Sequence, residues 1–337
     1  MIDALFEPAG GTEGQLLHLL RNLDRARFEP TVFCLHSAGT TVPDAEVLNL
    51  PLSPNPATLI KVWNFARRLR KQDFDIVQTH FRDANIIGVF AAWLAGVPTI
   101  ISTRRGVPLW TSPNDLRLLR WLNGRVSWFI ANSQATRDRY VREEGFAADR
   151  VDVIYNGLEA HRFTGLSVPE RTRLRAELDL APTDRVVGIV ANLRPVKGLG
   201  DFLDAAGMLA DEFADARFVL VGQGDQESDL RAQAERLDIV ERVRFAGARS
   251  DVPDLLQCFD VGVLTSHSES FSNSVLEYLA ADLPVVVTDV GGVREAVEDG
   301  RQGFIVPPKA PDQLAERLRV LLAHPDGPRA WRQDRGL

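Results

Sequence analysis

Between Asp260 and Pro308 the chain reads DVGVLTSHSESFSNSVLEYLAADLPVVVTDVGGVREAVEDGRQGFIVPP, and the order of apolar and polar segments in it admits few folds. The run Val261 to Leu264 predicts a buried strand, Thr265 to Ser272 a polar loop, Asn273 to Ala281 a helix, and Pro284 to Val287 a second fully apolar strand. Strand, loop, helix, strand is the repeating unit of an open α/β sheet, whose ligands gather at the carboxyl ends of the strands. Glu269 falls on the loop, with Ser270 and Phe271 beside it, and Glu277 on the second turn of the helix. Ser272 or Asn273 can cap that helix, which turns its first amides outward beside Glu269, where they suit phosphate oxygens. The corner thus offers N–H groups to a diphosphate and carboxylates to the hydroxyls of a sugar or ribose. Two acidic residues near a helix start are also what the macrodipole alone favours. Past the second strand, Thr288 and Asp289 lead to Gly291–Gly292, which open another helix and bring backbone to the same strand ends.

With that continuation, Glu269 and Glu277 resemble the E-x7-E signature of retaining glycosyltransferases of the GT4 family, and LAADLPVVVTDVGGVREAVEDGRQGFIVPP resembles its usual sequel. The resemblance extends over nearly the whole chain. It implies an α/β chain of GT-B architecture, two Rossmann-like doubly wound parallel-sheet domains facing a central cleft: residues 1–165 as the acceptor domain, 166–337 as the nucleotide-sugar donor domain.

Length and composition agree with two domains. The 337 residues suit two α/β units of roughly 150 residues each, and 45% hydrophobic content supplies two cores. Cys34 and Cys258 are the only cysteines, so neither a disulfide scaffold nor a metal cluster is indicated, and a reducing cytoplasm is the expected setting. The opening MIDALFEPAGG lacks the basic and apolar regions of a secretory signal, and the best apolar run, Ile86 to Val97, is too short to span a bilayer. The net charge of −7 is uneven: residues 1–165 hold 19 basic against 17 acidic side chains (+2), the remainder 20 against 29 (−9). Such a balance argues against nucleic acid as a partner. Arg67, Arg68, Arg70 and Lys71 form the densest basic cluster, either a solvated helix face or a contact with the inner face of the cell membrane.

Taken in order, Ile2 to Phe6 predicts a short strand, Pro8-Ala9-Gly10-Gly11 a glycine turn, and the leucines from Leu16 to Leu23 an amphipathic helix. Gly10 and Gly11 admit a ligand close to the backbone, though ordinary turns use glycine too. GGTEGQLLHLLRNL resembles the GT4 opening, whose glycine loop faces the cleft; the family has more residues before it, so the first strand is expected to be clipped. Strands are predicted over Glu29–His36, Val47–Leu50 and Asp75–Thr79, the last delivering His80, Arg82 and Asp83 to the ligand-binding edge. DIVQTHFRDANIIGVFAAWLAGVP resembles the segment before the family's acceptor site, which places His80 on the acceptor side. Val97–Ser102 delivers Thr103, Arg104 and Arg105 to the same edge, where two guanidinium forks would suit a phosphate or be salt-bridged to the protein. Many family members have a histidine at the place of Arg104. Strands over Ser127–Ala131 and Val151–Tyr155 complete the first half, whose closing phrases IANSQATRDRYVREEGF and VIYNGLEAHRF also resemble GT4 sequence.

The second half restarts with a strand, Arg185–Ala191, then the loop Asn192 to Gly198 and a helix. Lys197 beside Gly198 at a helix start, with Arg194 close by, is a physically sound diphosphate site. VANLRPVKG resembles the family's phosphate-binding loop, with Asn192 where an arginine is usual and Arg194 as its substitute. The resemblance also places Gly247 to Arg249 near the nucleobase, gives Glu277 the ribose hydroxyls and Glu269 those of the sugar, and leads us to expect the helix that crosses back onto the first domain to be absent.

The expected activity is transfer of a sugar from a UDP- or GDP-linked nucleotide-diphosphate donor to the hydroxyl of a sugar or lipid-linked acceptor, with anomeric retention and with no metal or other cofactor. Such a reaction serves polysaccharide or glycoconjugate biosynthesis. Asn273, Asn192 and Gly198 complete the expected donor contacts. Two alternatives share the scaffold: a nucleotide-sugar 2-epimerase, and a non-catalytic sugar-nucleotide-binding protein. A dinucleotide dehydrogenase is disfavoured, because G-G-T-E-G does not reproduce G-x-G-x-x-G.

Overall fold

The computed structural model describes residues 5–6, 11–38, 45–52, 55–106, 112–324 and 327–329. Its two compact units are Met1–Gly157 and Leu158–Leu337. The division falls before HRFTG rather than after Gly165, because Phe163 and Leu158 pack with the core of the second unit.

The first unit contains β1 (Leu5–Phe6), α1 (Gly11–Asn22), β2 (Phe33–Cys34), β3 (Ser37–Ala38), β4 (Glu46–Val47), α2 (Pro56–Lys71), β5 (Ile76–Thr79), α3 (Arg82–Ala95), β6 (Thr99–Arg104), α4 (Pro113–Asn123), β7 (Trp128–Ala131), α5 (Gln134–Glu144) and β8 (Val151–Val153). β5, β6, β7 and β8 make a parallel sheet in chain order, while β1 pairs with β3 and β2 with β4. The strand expected over Glu29–His36 is only Phe33–Cys34, ended by a bend at Leu35, whose carbonyl accepts from Leu50 N (2.8 Å). Helix boundaries follow local chemistry. Asn55 caps α2 by accepting from Thr58 N (2.8 Å) with Pro56 in the first turn, and Ser112 with Asp115 forms a capping box on α4.

The second unit contains α6 (Val168–Glu177), β9 (Arg185–Val190), α7 (Leu199–Leu209), β10 (Ala216–Val221), α8 (Glu227–Arg236), β11 (Val243–Gly247), α9 (Val252–Leu256), β12 (Val261–Leu264), α10 (Asn273–Ala280), β13 (Val285–Thr288), α11 (Val293–Ala296), β14 (Gly303–Val306) and α12 (Pro311–Leu322). Its six parallel strands run in the order β11-β10-β9-β12-β13-β14. β12 and β13 are buried at every position, as strands covered on both faces must be. One core packs α7, α8 and α12 on the sheet, and another packs α6, α9, α10 and α11. The chain winds outward from β9 through β10 to β11, then returns to lay β12 on the other side of β9. That reversal is a topological switch point, where two strands send their following loops apart and open a crevice.

β9 and β12 are paired only at Val187–Val261 and Gly188–Gly262. Beyond that register the hydroxyl of Tyr278, fully buried on α10, spans the gap: it accepts from Val190 N (2.7 Å) and donates to Val263 O (3.1 Å). Burial pushes its pKa far above the usual tyrosine range, so it stays a donor. Replacing Tyr278 by Phe leaves a dry amide and a dry carbonyl without partners. We expect the urea unfolding transition of the second unit to lose about 1–3 kcal/mol; a variant as stable as wild type would show that the bridge is not needed.

Candidate active site

The loops after β9 and β12 meet because their strands are neighbours at the switch point. Three contacts tie them: Thr265 Oγ1 donates to Lys197 O (2.9 Å), His267 N donates to Val196 O (2.8 Å), and the His267 ring meets Asp201 Oδ2 on α7 (2.8 Å). Gly198 lies at the tightest approach. Its φ is +61°, and a Cβ there would stand 2.2 Å from Thr265 O and 2.7 Å from His267 Nε2, so only glycine fits. This seam brings Lys197 Nζ within 2.5 Å of Glu269 Oε1, which also accepts from Ser266 Oγ (2.8 Å). Glu269 is held from below by Gly291, at φ +54°, where a Cβ would stand 2.2 Å from the Glu269 carbonyl.

Ser272 is the N-cap of α10, its hydroxyl accepting from Val275 N (3.4 Å). Ser270, Phe271 and Ser272 are buried, and Asn273 opens the helix. Glu277 follows one turn later, half-buried, with no hydrogen-bond or ion-pair partner for its carboxylate among the described residues. Burial holds its pKa above the usual glutamate range, opposed in part by the positive charge of Arg162. Arg194 and Asn192 are exposed on the loop after β9, and the Arg194 side chain makes no ion pair among the described residues.

Some expected contacts are arranged differently. Arg249, placed by resemblance near the nucleobase, has its guanidinium engaged by Asp251 (2.8 and 2.7 Å) and by Glu177 (2.5 Å). Gly247 closes β11, where its carbonyl accepts from Gly222 N (2.8 Å). Gly10 lies outside the described residues, and Gly11 is the first residue of α1. The residues where the crossover helix was expected to be absent lie largely outside the described residues too.

In the first unit, Arg104 is not available to an oxyanion. Its guanidinium is 5% exposed, paired with the equally buried Glu144 (2.8 Å), bonded to Ser102 Oγ (2.6 Å) and faced by the rings of Phe129, Tyr140 and Phe146. A desolvated guanidinium needs such enclosure, and removing either partner would strand a buried charge. Arg105 instead turns to Asn156 Oδ1 (2.8 Å), and burial lowers its pKa. His80 is buried at the end of β5. Thr103 Oγ1 donates its one proton to Thr79 O (2.7 Å), so its 3.0 Å contact with His80 Nδ1 requires the proton to sit on Nδ1. Desolvation, then the charge of Arg105, lowers the His80 pKa to about 3, so the ring is neutral at pH 7. Its buried Nε2 is therefore a bare acceptor, and it has no partner among the described residues.

Sequence reasoning missed Tyr278, Ser266 and His267. The His267–Asp201 contact joins residues far apart in the chain, and no local pattern announces it. Both glutamates were legible.

A half-buried, unpartnered carboxylate opposes folding. Because the folded-state pKa of Glu277 is raised, its protonated form is favoured in the native protein. The associated stability is therefore present below the ordinary glutamate range and lost as pH rises through the folded value. Glu277→Gln should melt higher than wild type at neutral pH, with the difference vanishing in acid, when both are followed by thermal denaturation. Equal melting at neutral pH would show that the carboxylate has compensating partners.

Two family models match the chain: Glycosyl transferases group 1 over residues 170–335 and Glycosyltransferase Family 4 over residues 9–162. Among curated proteins, the UDP-Gal:alpha-D-GlcNAc-diphosphoundecaprenol alpha-1,3-galactosyltransferase of Escherichia coli is 27% identical, covering 77% of this chain and 68% of its own. The N,N'-diacetylbacillosaminyl-diphospho-undecaprenol alpha-1,3-N-acetylgalactosaminyltransferase of Campylobacter jejuni is 29% identical over 80% and 74%. Among solved structures, Anabaena HepE in complex with UDP superposes with a TM-score of 0.85 at 25% identity, over 99% of this chain and 93% of its own. The two curated relatives are glycosyltransferases by name, which favours transfer over the epimerase and non-catalytic alternatives. The chain belongs to the group 1, family 4 glycosyltransferases and is a glycosyltransferase of GT-B fold.

Proposed function

We propose that the chain moves a sugar from a UDP- or GDP-linked donor to a hydroxyl of a sugar or lipid-linked acceptor, with anomeric retention and without a metal ion. The observation that carries this is Glu277. A carboxylate without partners, one turn into the helix whose cap adjoins Lys197 and Glu269, is an acceptor pair set for hydroxyls next to a cation set for phosphate. The UDP bound by HepE, and the UDP-linked donor and undecaprenyl diphosphate acceptor in the E. coli relative's name, support the same assignment.

In this mechanism the bond from the anomeric carbon to the diphosphate breaks as negative charge grows on the leaving group. Lys197, Arg194 and the N-terminal dipole of α10 stabilise that charge, supplying what a metal would otherwise provide. The acceptor oxygen bonds to the anomeric carbon on the face the diphosphate leaves, and its proton passes to a departing phosphate oxygen. Glu277 accepts from the ribose and Glu269 from the sugar; neither is a nucleophile. On the acceptor side, the bare Nε2 of His80 accepts from a hydroxyl.

The test begins with a thermal-shift screen of UDP- and GDP-sugars, in which a cognate donor raises the melting temperature by mass action, followed by transfer assays with lipid-linked sugar acceptors. We expect an α-linked donor to give an α-linked product by NMR, a chelator to leave the rate unchanged, and Lys197→Met to lose about 10²–10³ in turnover. An inverted product, or a rate abolished by chelator, would overturn the retaining or metal-free assignment.

We also assign the membrane surface as the place of work. Arg68 and Arg70 of the basic cluster are engaged within the fold, by Glu46 and by the Leu94 and Ala95 carbonyls. Arg67 and Lys71 remain exposed, in helical register with exposed Ile60 and Trp63, and Leu59 stands beside them. An apolar and cationic stripe of this kind fits an anionic bilayer. The protein should cosediment with vesicles containing phosphatidylglycerol but not with phosphatidylcholine vesicles, and Trp63→Ser with Lys71→Glu should abolish it; cosedimentation unaffected by these changes would refute this face.

A further inference from the structure

Lys197 already has a counterion. Glu269 Oε1 lies 2.5 Å from its ammonium and takes a second hydrogen bond from Ser266 (2.8 Å). The pair cannot part by moving its loops, because both are pinned: Lys197 by its carbonyl bond to Thr265 and by Gly198, Glu269 by the Gly291 turn packed under its carbonyl. A diphosphate that binds Lys197 therefore competes with Glu269 for the ammonium and draws it away from the carboxylate. The Glu269 side chain, only 13% exposed, would then keep Ser266 alone, beside an arriving anion.

What replaces the lost donor depends on the ligand. A sugar nucleotide brings hydroxyl groups next to its diphosphate, and these can donate to Glu269 as the ammonium leaves. A free nucleoside diphosphate lacks that sugar, and its ribose hydroxyls are those assigned to Glu277. We infer that Glu269 is a specificity-determining residue that makes the site favour the intact sugar nucleotide over the nucleoside diphosphate product. The discrimination is a difference between two ligands sharing every phosphate contact, set by whether a carboxylate is left unpaired. It also speeds product departure, since Glu269 recaptures Lys197 once the sugar has gone. The inference rests on the donor assignment above.

Titration calorimetry with UDP and GDP, and with UDP-glucose and GDP-mannose as sugar-nucleotide probes, tests it. Glu269→Gln removes the competing charge, so the nucleoside diphosphate that binds wild type should bind the variant about three- to ten-fold tighter, the range of a partly exposed ion pair. The matching sugar nucleotide should gain nothing. Glu269→Asp, which keeps the charge on a shorter arm, should tighten less than Glu269→Gln, and adding Lys197→Met to Glu269→Gln should erase the gain. If wild type binds UDP or GDP and neither Glu269 variant binds it tighter, the discrimination is wrong while the donor assignment stands. If wild type binds neither, the donor assignment falls and takes this inference with it.

Discussion

Two parallel strands that touch at two residue pairs and then separate govern the second unit. β9 and β12 hold register only at Val187–Val261 and Gly188–Gly262, and past that point each would leave main-chain groups dry. The Tyr278 hydroxyl satisfies one from each strand, and the separation it permits is what lets the two following loops face each other. Lys197 and Glu269 are neighbours because the strands beneath them are neighbours. The chemistry of the corner is thus a consequence of strand order.

Burial decides what each cation can do. Arg104 and Arg105 are adjacent in sequence and lie at the same strand edge, yet one is enclosed by Glu144 and three aromatic rings while the other turns to Asn156. Adjacent residues at the end of a strand point to opposite sides, so one enters the core and must bring its counterion with it. Arg249 is engaged in a similar way by Asp251 and Glu177. Lys197 differs from Arg104 in that its ion pair, with Glu269, is only partly buried.

Each unit also holds features that folding alone would not select. Among the described residues Glu277 is desolvated with no partner for its carboxylate, and in the first unit the buried Nε2 of His80 meets no hydrogen-bond partner. Directly after His80, Phe81 adopts φ +66°, a conformation that costs an aromatic residue on the order of 1–3 kcal/mol. Burying such groups without partners, like holding an aromatic residue at positive φ, costs free energy that local packing does not return. Their place at strand carboxyl ends, the edge where open α/β sheets bind ligands, is consistent across both units.

How much was legible follows from the range of each interaction. The strands β5 to β9, β12 and β13 and several helices could be read from runs and periodicity, since burial on both faces demands unbroken apolar strands and caps are local. The loop position of Glu269, the helix position of Glu277 and the glycine before α7 marked the candidate site for the same reason: each is set by its own loop or helix start. The strand expected over Glu29–His36 is only Phe33–Cys34, because the bend at Leu35 answers to Leu50, not to its own neighbours. The enclosure of Arg104, the engagement of Arg249, the Tyr278 bridge and the His267–Asp201 contact were decided only by tertiary structure. A side chain's hydrogen-bond partner depends on which distant segment is packed beside it, and a single chain of letters records the groups without recording those neighbours.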